Sequence, residues 1–269
     1  MRRKRLTALL LALALLVLSL AGCGKKDPDA FRTLATIGTK RYCVITRAGD
    51  RAAPFINAAM EALAASGALA ALSNQWLGEN RITLSGDANA LAALEMDETL
   101  AGRTLLVGVA QELRPLAYTE NGALRGLSCD IAAAVGELLG WAVQLQPIGP
   151  DEVDAQLASG NIDCALGFDP TGLKASKFET GVEFMQSDIV VAVRAGSEVT
   201  SLKKLAGERV GTVNDPVVTA AIRGDAKVTK HASGATIYLS PSRCLSALDN
   251  GWCAAVAMDA LTLRYAMVN

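Results

Sequence analysis

From residue 104 onward the chain alternates short apolar runs with amphipathic stretches that close on glycine, a pattern that predicts α/β units around a parallel sheet. Residues 105–109 read as a strand, 130–139 as a helix ending at Gly140, 141–145 as an alternating strand, 151–159 as a helix ending at Gly160, and 162–166 as a strand. After a less regular stretch over 168–187, the runs 189–193 and 210–213 have the β-branched density of buried strands. Asp215-Pro216 and Ser240-Pro241 each offer an N-cap followed by a proline at the first helical position, so a helix is expected after each, the second ending at Asn250-Gly251. Residues 254–258 predict a strand with Asp259 at its carboxyl end, the edge of an open α/β sheet where ligands gather.

The part before residue 104 has another texture. Residues 42–46 read as a strand, 54–65 as a helix stopped at Gly67, 68–76 as a second helix stopped at Gly78, and 79–103 as a polar connector, with no internal repeat. The 269 residues are 51% hydrophobic with a mean hydropathy of +0.28, enough for one large domain or two lobes and incompatible with disorder or collagen.

At the extreme N-terminus, Arg2, Arg3, Lys4 and Arg5 precede an apolar run over residues 6–20 that is shorter than the ~20 residues of a spanning helix. This reads as a secretory signal, with an uncleaved anchor helix as the alternative. Leu20-Ala21-Gly22-Cys23 resembles the bacterial lipoprotein box, which implies a signal peptide over 1–22, a lipid on the Cys23 sulfur, and a lipid anchor and tether over 23–30. The net charge is −1, and removing the four leading cations leaves −5 on the rest, which speaks against nucleic acid as a partner. Only 12 residues are aromatic, so a site built here should be mostly polar. One histidine, His231, and cysteines without CxxC spacing support neither a metal site nor a histidine-based triad, and no cofactor is expected. Besides Cys23, Cys43, Cys129, Cys164 and Cys253 sit in apolar, strand-like runs and Cys244 in a helix. The first reading is buried free thiols; disulfides in an exported chain are the other.

Four stretches resemble the extracellular solute-binding proteins of polar amino-acid ABC importers, with their type II periplasmic-binding fold. They are Gly108 to Tyr118 with Arg114-Pro115-Leu116-Ala117-Tyr118; Gly126-Leu127-Ser128-Cys129-Asp130; Leu157-Ala158-Ser159-Gly160-Asn161-Ile162-Asp163; and Leu248-Asp249-Asn250-Gly251 leading to Asp259. The front of the chain, with Tyr42-Cys43-Val44-Ile45-Thr46-Arg47-Ala48-Gly49-Asp50, Asn57, Gly67 and Trp76-Leu77-Gly78, is similar to the segment that closes the C-terminus of that family. The resemblance thus implies a two-lobed α/β fold in circularly permuted order, joined by 79–103. Lobe 1 would be continuous over 43–187, and lobe 2 would combine 31–42 with 188–269. A tandem fragment or misassembled gene is the alternative.

The same resemblance supplies site expectations. Asp259 matches the family's acceptor for an α-ammonium; the alternative is a helix N-cap after the strand, and one residue can do both. Thr171-Gly172-Leu173-Lys174 stands where the family has Thr-x-x-Arg for the carboxylate, and Lys174 keeps the charge without the two-donor fork. Arg114 is a second candidate for that carboxylate. Asn214 and Asp215 replace a hydroxyl-rich turn; Asp215 reads as an N-cap that can also meet a cationic side chain. Glu112, Phe168 and Asp169 are candidates for the cleft lining.

These features imply a lipid-anchored, monomeric receptor of an ABC importer, exported to the outer face of the cytoplasmic membrane or the periplasmic side of an envelope membrane. It would capture a small polar solute, an amino acid or close relative, and pass it to a membrane permease without chemistry. Alternatives are a cyclohexadienyl dehydratase-like enzyme on the same scaffold and a ligand-sensing module.

Overall fold

The computed structural model describes residues 30–95, 98–173 and 177–265. In chain order its elements are β1 (Phe31–Arg47), α1 (Ala53–Ala65), α2 (Ala68–Leu77), β2 (Thr104–Ala110), β3 (Tyr118–Glu120), β4 (Ala123–Arg125), α3 (Leu127–Leu139), β5 (Ala142–Ile148), α4 (Val153–Ser159) and β6 (Cys164–Phe168). They continue with β7 (Phe178–Arg194), β8 (Arg209–Val213), α5 (Pro216–Gly224), α6 (Ala226–His231), β9 (Gly234–Tyr238), α7 (Pro241–Asp249), β10 (Ala255–Asp259) and α8 (Ala260–Tyr265).

Eight strands form one mixed sheet in the order β5-β2-β6-β1-β7-β10-β8-β9, and β3 and β4 pair separately as a hairpin. The expected parallel pairing holds toward the two ends, where β5, β2 and β6 run parallel and so do β10, β8 and β9. The centre is different. β1 is antiparallel to β6 through residues 43–46 and to β7 along its whole length, while β7 is antiparallel to β10 through residues 189–192. The two 17-residue strands therefore belong to both halves of the sheet.

Alternate residues of the strands feed different cores, as the two-residue period of a strand covered on both faces requires. In the first half Leu105, Val107 and Val109 join Leu127, Ile131 and Phe184 on one side, while Cys43, Ile45, Ala165 and Leu157 pack on the other. In the second half Ile189, Val191 and Val193 meet Val218 and Ile222 on one side, and Val190, Ala192, Val256 and Met258 meet Leu245 on the other.

Three features depart from the expected pattern. The irregular stretch 168–187 contains the first ten residues of β7, whose Glu179, Thr180, Gly181 and Glu183 conceal the strand period. The strand expected over 42–46 extends back to Phe31 without a break, with Lys40 accommodated inside it by a partner from far along the chain. Cys129 lies in a helix, not a strand-like run. All five cysteines of the described residues are free and buried, and burial pushes the thiols of Cys43, Cys164 and Cys244 up to about 12 and that of Cys129 up to about 11.

The connector after α2 is docked. Ile82 bridges to Met185, the Thr83 amide donates to the Phe184 carbonyl at 2.9 Å, and Leu100 is buried. Gly86, at φ +70°, passes so close to α1 that an added Cβ would stand 2.0 Å from the Glu61 carbonyl oxygen. At the other end of the chain, α8 packs Leu261 and Tyr265 into the core of the first half, and the Tyr265 hydroxyl donates to the Leu77 carbonyl.

Candidate functional site

The carboxyl ends of β2 and β6 and the turn after β8 converge on a cleft between the two halves. One cavity of about 250 Å³ is lined by Gln111, Glu112 and Leu113 after β2, Phe168 of β6, Asn214 and Asp215 after β8, and Lys40 of β1. A second, of about 230 Å³, lies alongside and is lined by Asp154, Asp169, Thr171, Leu173 and Val217. Lys40, Pro150, Asp151, Phe168 and Asp215 belong to both.

Lys40 is the link between these cavities that sequence reasoning missed. Its ammonium donates to Asp215 Oδ2 at 2.5 Å, with the two side chains 6% and 8% exposed. Asp215 meanwhile caps α5, Oδ1 accepting from the Val217 amide at 2.9 Å and the Val218 amide at 3.4 Å. Proline at the first helical position leaves those amides as the orphan donors of the helix start, and the carboxylate satisfies them. Burial favours the neutral form of Asp215, but Lys40 and the capping amides outweigh it and hold the carboxyl below its ordinary range. For Lys40 burial likewise acts downward, while Asp215, Asp259 and Asp169 together push the ammonium above its ordinary value. The pair is therefore fully ionised at neutral pH.

Behind this pair lies a second buried group. Asp259, 2% exposed at the end of β10, accepts from the Tyr42 hydroxyl at 2.9 Å, the Thr262 amide at 2.9 Å and the Thr262 hydroxyl at 2.5 Å. Burial and then the Asp259 charge drive the Tyr42 phenol well above its ordinary pKa. The Lys40 ammonium stands 5.4 Å from the centre of the Tyr42 ring.

The expected site residues are distributed unevenly over this geometry. Glu112, Phe168, Asp169, Thr171, Asn214 and Asp215 all line one or both cavities. Asp215 caps α5, as its N-cap reading expects, and its other oxygen meets the Lys40 ammonium. Asp169 is engaged internally, accepting from the Arg41 amide at 2.7 Å and from the amide and hydroxyl of Thr171. Asp259 is absent from the lining of both cavities, and its carboxylate caps α8 and anchors Tyr42. Arg114 is likewise absent from the lining and lays its guanidinium over the Tyr118 ring at 3.7 Å. Lys174 and Cys23 lie outside the described residues.

Two of the quoted motifs have structural work. Asp163 accepts from the Leu106 amide at 2.8 Å and pairs with Arg103 at 2.8 Å, fixing the start of β6 against β2. Gly126, at φ +131°, lets the start of α3 approach the Leu116 carbonyl oxygen, which would stand 2.3 Å from an added Cβ.

The family model for bacterial extracellular solute-binding proteins, family 3, matches residues 105–257. The chain belongs to this family. Among curated relatives, this solute-binding protein is 23% identical over 110 residues to the arginine-binding extracellular protein ArtP of Bacillus subtilis, covering 40% of its own length and 43% of ArtP. It thus spans less than half of that relative. Among solved structures, an ABC uptake transporter substrate-binding protein from Streptococcus pneumoniae with bound histidine superposes with a TM-score of 0.54 at 22% identity, over 59% of this chain and 67% of that one. Holo ArgBP from T. maritima gives 0.50 at 22% identity, over 60% and 71%. At these identities the likeness concerns the fold: a mixed α/β sheet of the periplasmic-binding type II class.

Proposed function

We propose that this chain is the solute-binding receptor of an ABC importer and that the cleft around Lys40 and Asp215 holds a small polar solute. The observation that carries this reading is the cleft itself: it opens between two halves of the sheet joined through β1 and β7, with α8 crossing from β10 onto the core of the first half, so closure around a ligand needs changes at these few crossings. Glu112, Phe168, Asn214 and Asp215 supply the contacts, Asp259 supports them from behind through Tyr42, and Thr171 borders the adjoining cavity. The relatives bear names of amino-acid binders, which makes amino acids and their derivatives the first solutes to try. No bond in the solute is made or broken in this reading.

Under the same reading the chain is exported, tethered through a lipid on Cys23, and delivers its solute to a membrane permease as a monomer. Lobe 1 runs over 43–187 and lobe 2 combines 31–42 with 188–269, the family's usual order having been circularly permuted. In support, β1, α1 and α2 precede the matched segment, and α8 ends against Leu77 and Glu79, beside the far end of α2.

The test is thermal unfolding of the full chain in detergent against a panel of amino acids, amines and dipeptides. A solute present at about 100 times its Kd adds about 2.7 kcal/mol of stability. A flat response from folded protein across the whole panel refutes the receptor reading. Mass spectrometry of Cys23 tests the lipid, and a gene reordered to begin at residue 104 and end at 78, with a flexible joint, tests the permutation through equal stability.

A further inference from the structure

We infer that the cleft selects a solute that carries a cation and no carboxylate, an amine or guanidine, because the one lysine among its described lining residues, Lys40, is already paired with Asp215 while other carboxylates of the lining are not paired with a cation. This rests on the receptor reading above and names the substrate class of that site.

A free carboxylate entering the cleft needs donors. The donors at the mouth of α5, the amides of Val217 and Val218, are taken by Asp215 Oδ1. Among the described residues lining the two cavities, Lys40 is the only lysine or arginine, and its charge is met by Asp215 Oδ2 at 2.5 Å. A solute carboxylate would have to displace a buried, ionised carboxylate from a lysine and a helix start together. Like charges placed side by side act as a filter against the wrong ligand.

Acceptors are left over instead. Glu112, in a left-handed backbone conformation at φ +53° just after β2, is an exposed residue of the first cavity's lining with no side-chain hydrogen bond or ion pair among the described residues. In the same lining, Asp151 accepts from Asn214 Nδ2 at 3.1 Å, and Asp154 borders the second cavity with its Oδ1 buried and unpartnered. Phe168 supplies an apolar wall shared by both cavities. A chain with cationic ends and a methylene body matches these features: its charges meet Glu112 and Asp151, and its body lies along Phe168.

Two matched pairs test this: arginine against agmatine, and lysine against cadaverine, titrated calorimetrically into the full chain in detergent. Each pair differs only by the carboxylate. The decarboxylated member should bind about tenfold or more tightly than its amino acid, since bringing like charges together weakens binding by about a decade or more. Glu112→Gln should weaken the amines by about tenfold while leaving the melting temperature of the free protein unchanged. Asp215→Asn, which keeps a capping acceptor and frees Lys40, should raise affinity for the amino acids.

Equal or tighter binding of arginine and lysine overturns the inference and leaves the receptor reading standing. If that binding is lost in Lys174→Met, the carboxylate is held there. No binding by any of the four solutes or by the wider panel overturns the inference and the receptor reading together.

Discussion

Lys40 and Asp215 are separated by 175 positions in the chain and by 2.5 Å in space, and each buried charge is met by the other. The ammonium sits at the point where β1 passes from one half of the sheet to the other, and the carboxylate begins the helix that follows β8. The pair therefore ties the shared strand to the second half of the cleft.

Lys40→Met should destabilise the protein by about 3–5 kcal/mol, because it leaves Asp215 ionised, buried and unpaired. Urea unfolding followed by circular dichroism measures this. Adding Asp215→Asn to Lys40→Met should restore much of the loss, since an apolar side chain beside a neutral cap has no stranded charge. A loss below about 1 kcal/mol in Lys40→Met, the range of surface pairs, would show that the pair is solvated in solution.

The same pair predicts the pH profile of stability. Asp215 has a folded pKa below its ordinary 3.8, so its contribution is present above that value and is lost as pH falls through the lower folded value. Lys40 has a folded pKa above its ordinary 10.5, so its contribution is present below that value and is lost as pH rises through the higher folded value. Stability should therefore fall in strong acid and strong alkali. Asp215→Asn should flatten the acid arm, and an unchanged acid arm in that variant would assign it to other carboxylates.

Tyr42→Phe removes one of three donors to the buried Asp259. A hydrogen bond to a charged group contributes about 1.5–3 kcal/mol, and a loss of that size is expected in chemical denaturation. Ligand binding should change little if Asp259 acts only from behind the cleft. A large fall in affinity with little change in stability would move Asp259 into the ligand's first contacts.

Gly211→Ala on β8 places a methyl group 2.9 Å from Cys253 Sγ, 3.1 Å from Cys244 Sγ and 3.2 Å from a Tyr238 ring carbon. Overpacking of this kind costs about 1–3 kcal/mol. Gly196→Ala is the control: an added Cβ there meets nothing within 4 Å, and the change should stay within about 0.5 kcal/mol. Thermal melts of both variants compare the two directly.

Much of this molecule was legible locally. Proline after aspartate or serine marked the starts of α5 and α7, and both caps form as that chemistry requires, Asp215 accepting two amides and Ser240 accepting from the Arg243 amide at 3.3 Å. Glycines ended α2, α3 and α4 where expected, each in a left-handed conformation that other residues adopt at a cost. The buried state of the cysteines followed from their apolar neighbours.

The less legible parts depend on contacts between distant residues. The first half of β7 carries Glu179, Glu183 and Gln186 on a strand held by β1, so hydrogen bonding to a partner, not side-chain periodicity, makes it a strand. Among the site residues, Glu112, Phe168, Asn214 and Asp215, which line the cleft, were marked by the resemblance to the solute-binding family. Lys40 was not, because a lysine in the polar run Thr39-Lys40-Arg41 is indistinguishable from a solvated one until a carboxylate is brought against it.

By itself the sequence determined the local alternation of strand, helix, cap and glycine stop, since these depend on neighbours within a few positions. Only the tertiary structure decided that β1 lies between β6 and β7, that Asp259 faces Tyr42, and that the cleft's one described lysine is already paired. Burial and charge pairing are properties of surfaces brought together from opposite ends of the chain, and no local pattern carries them.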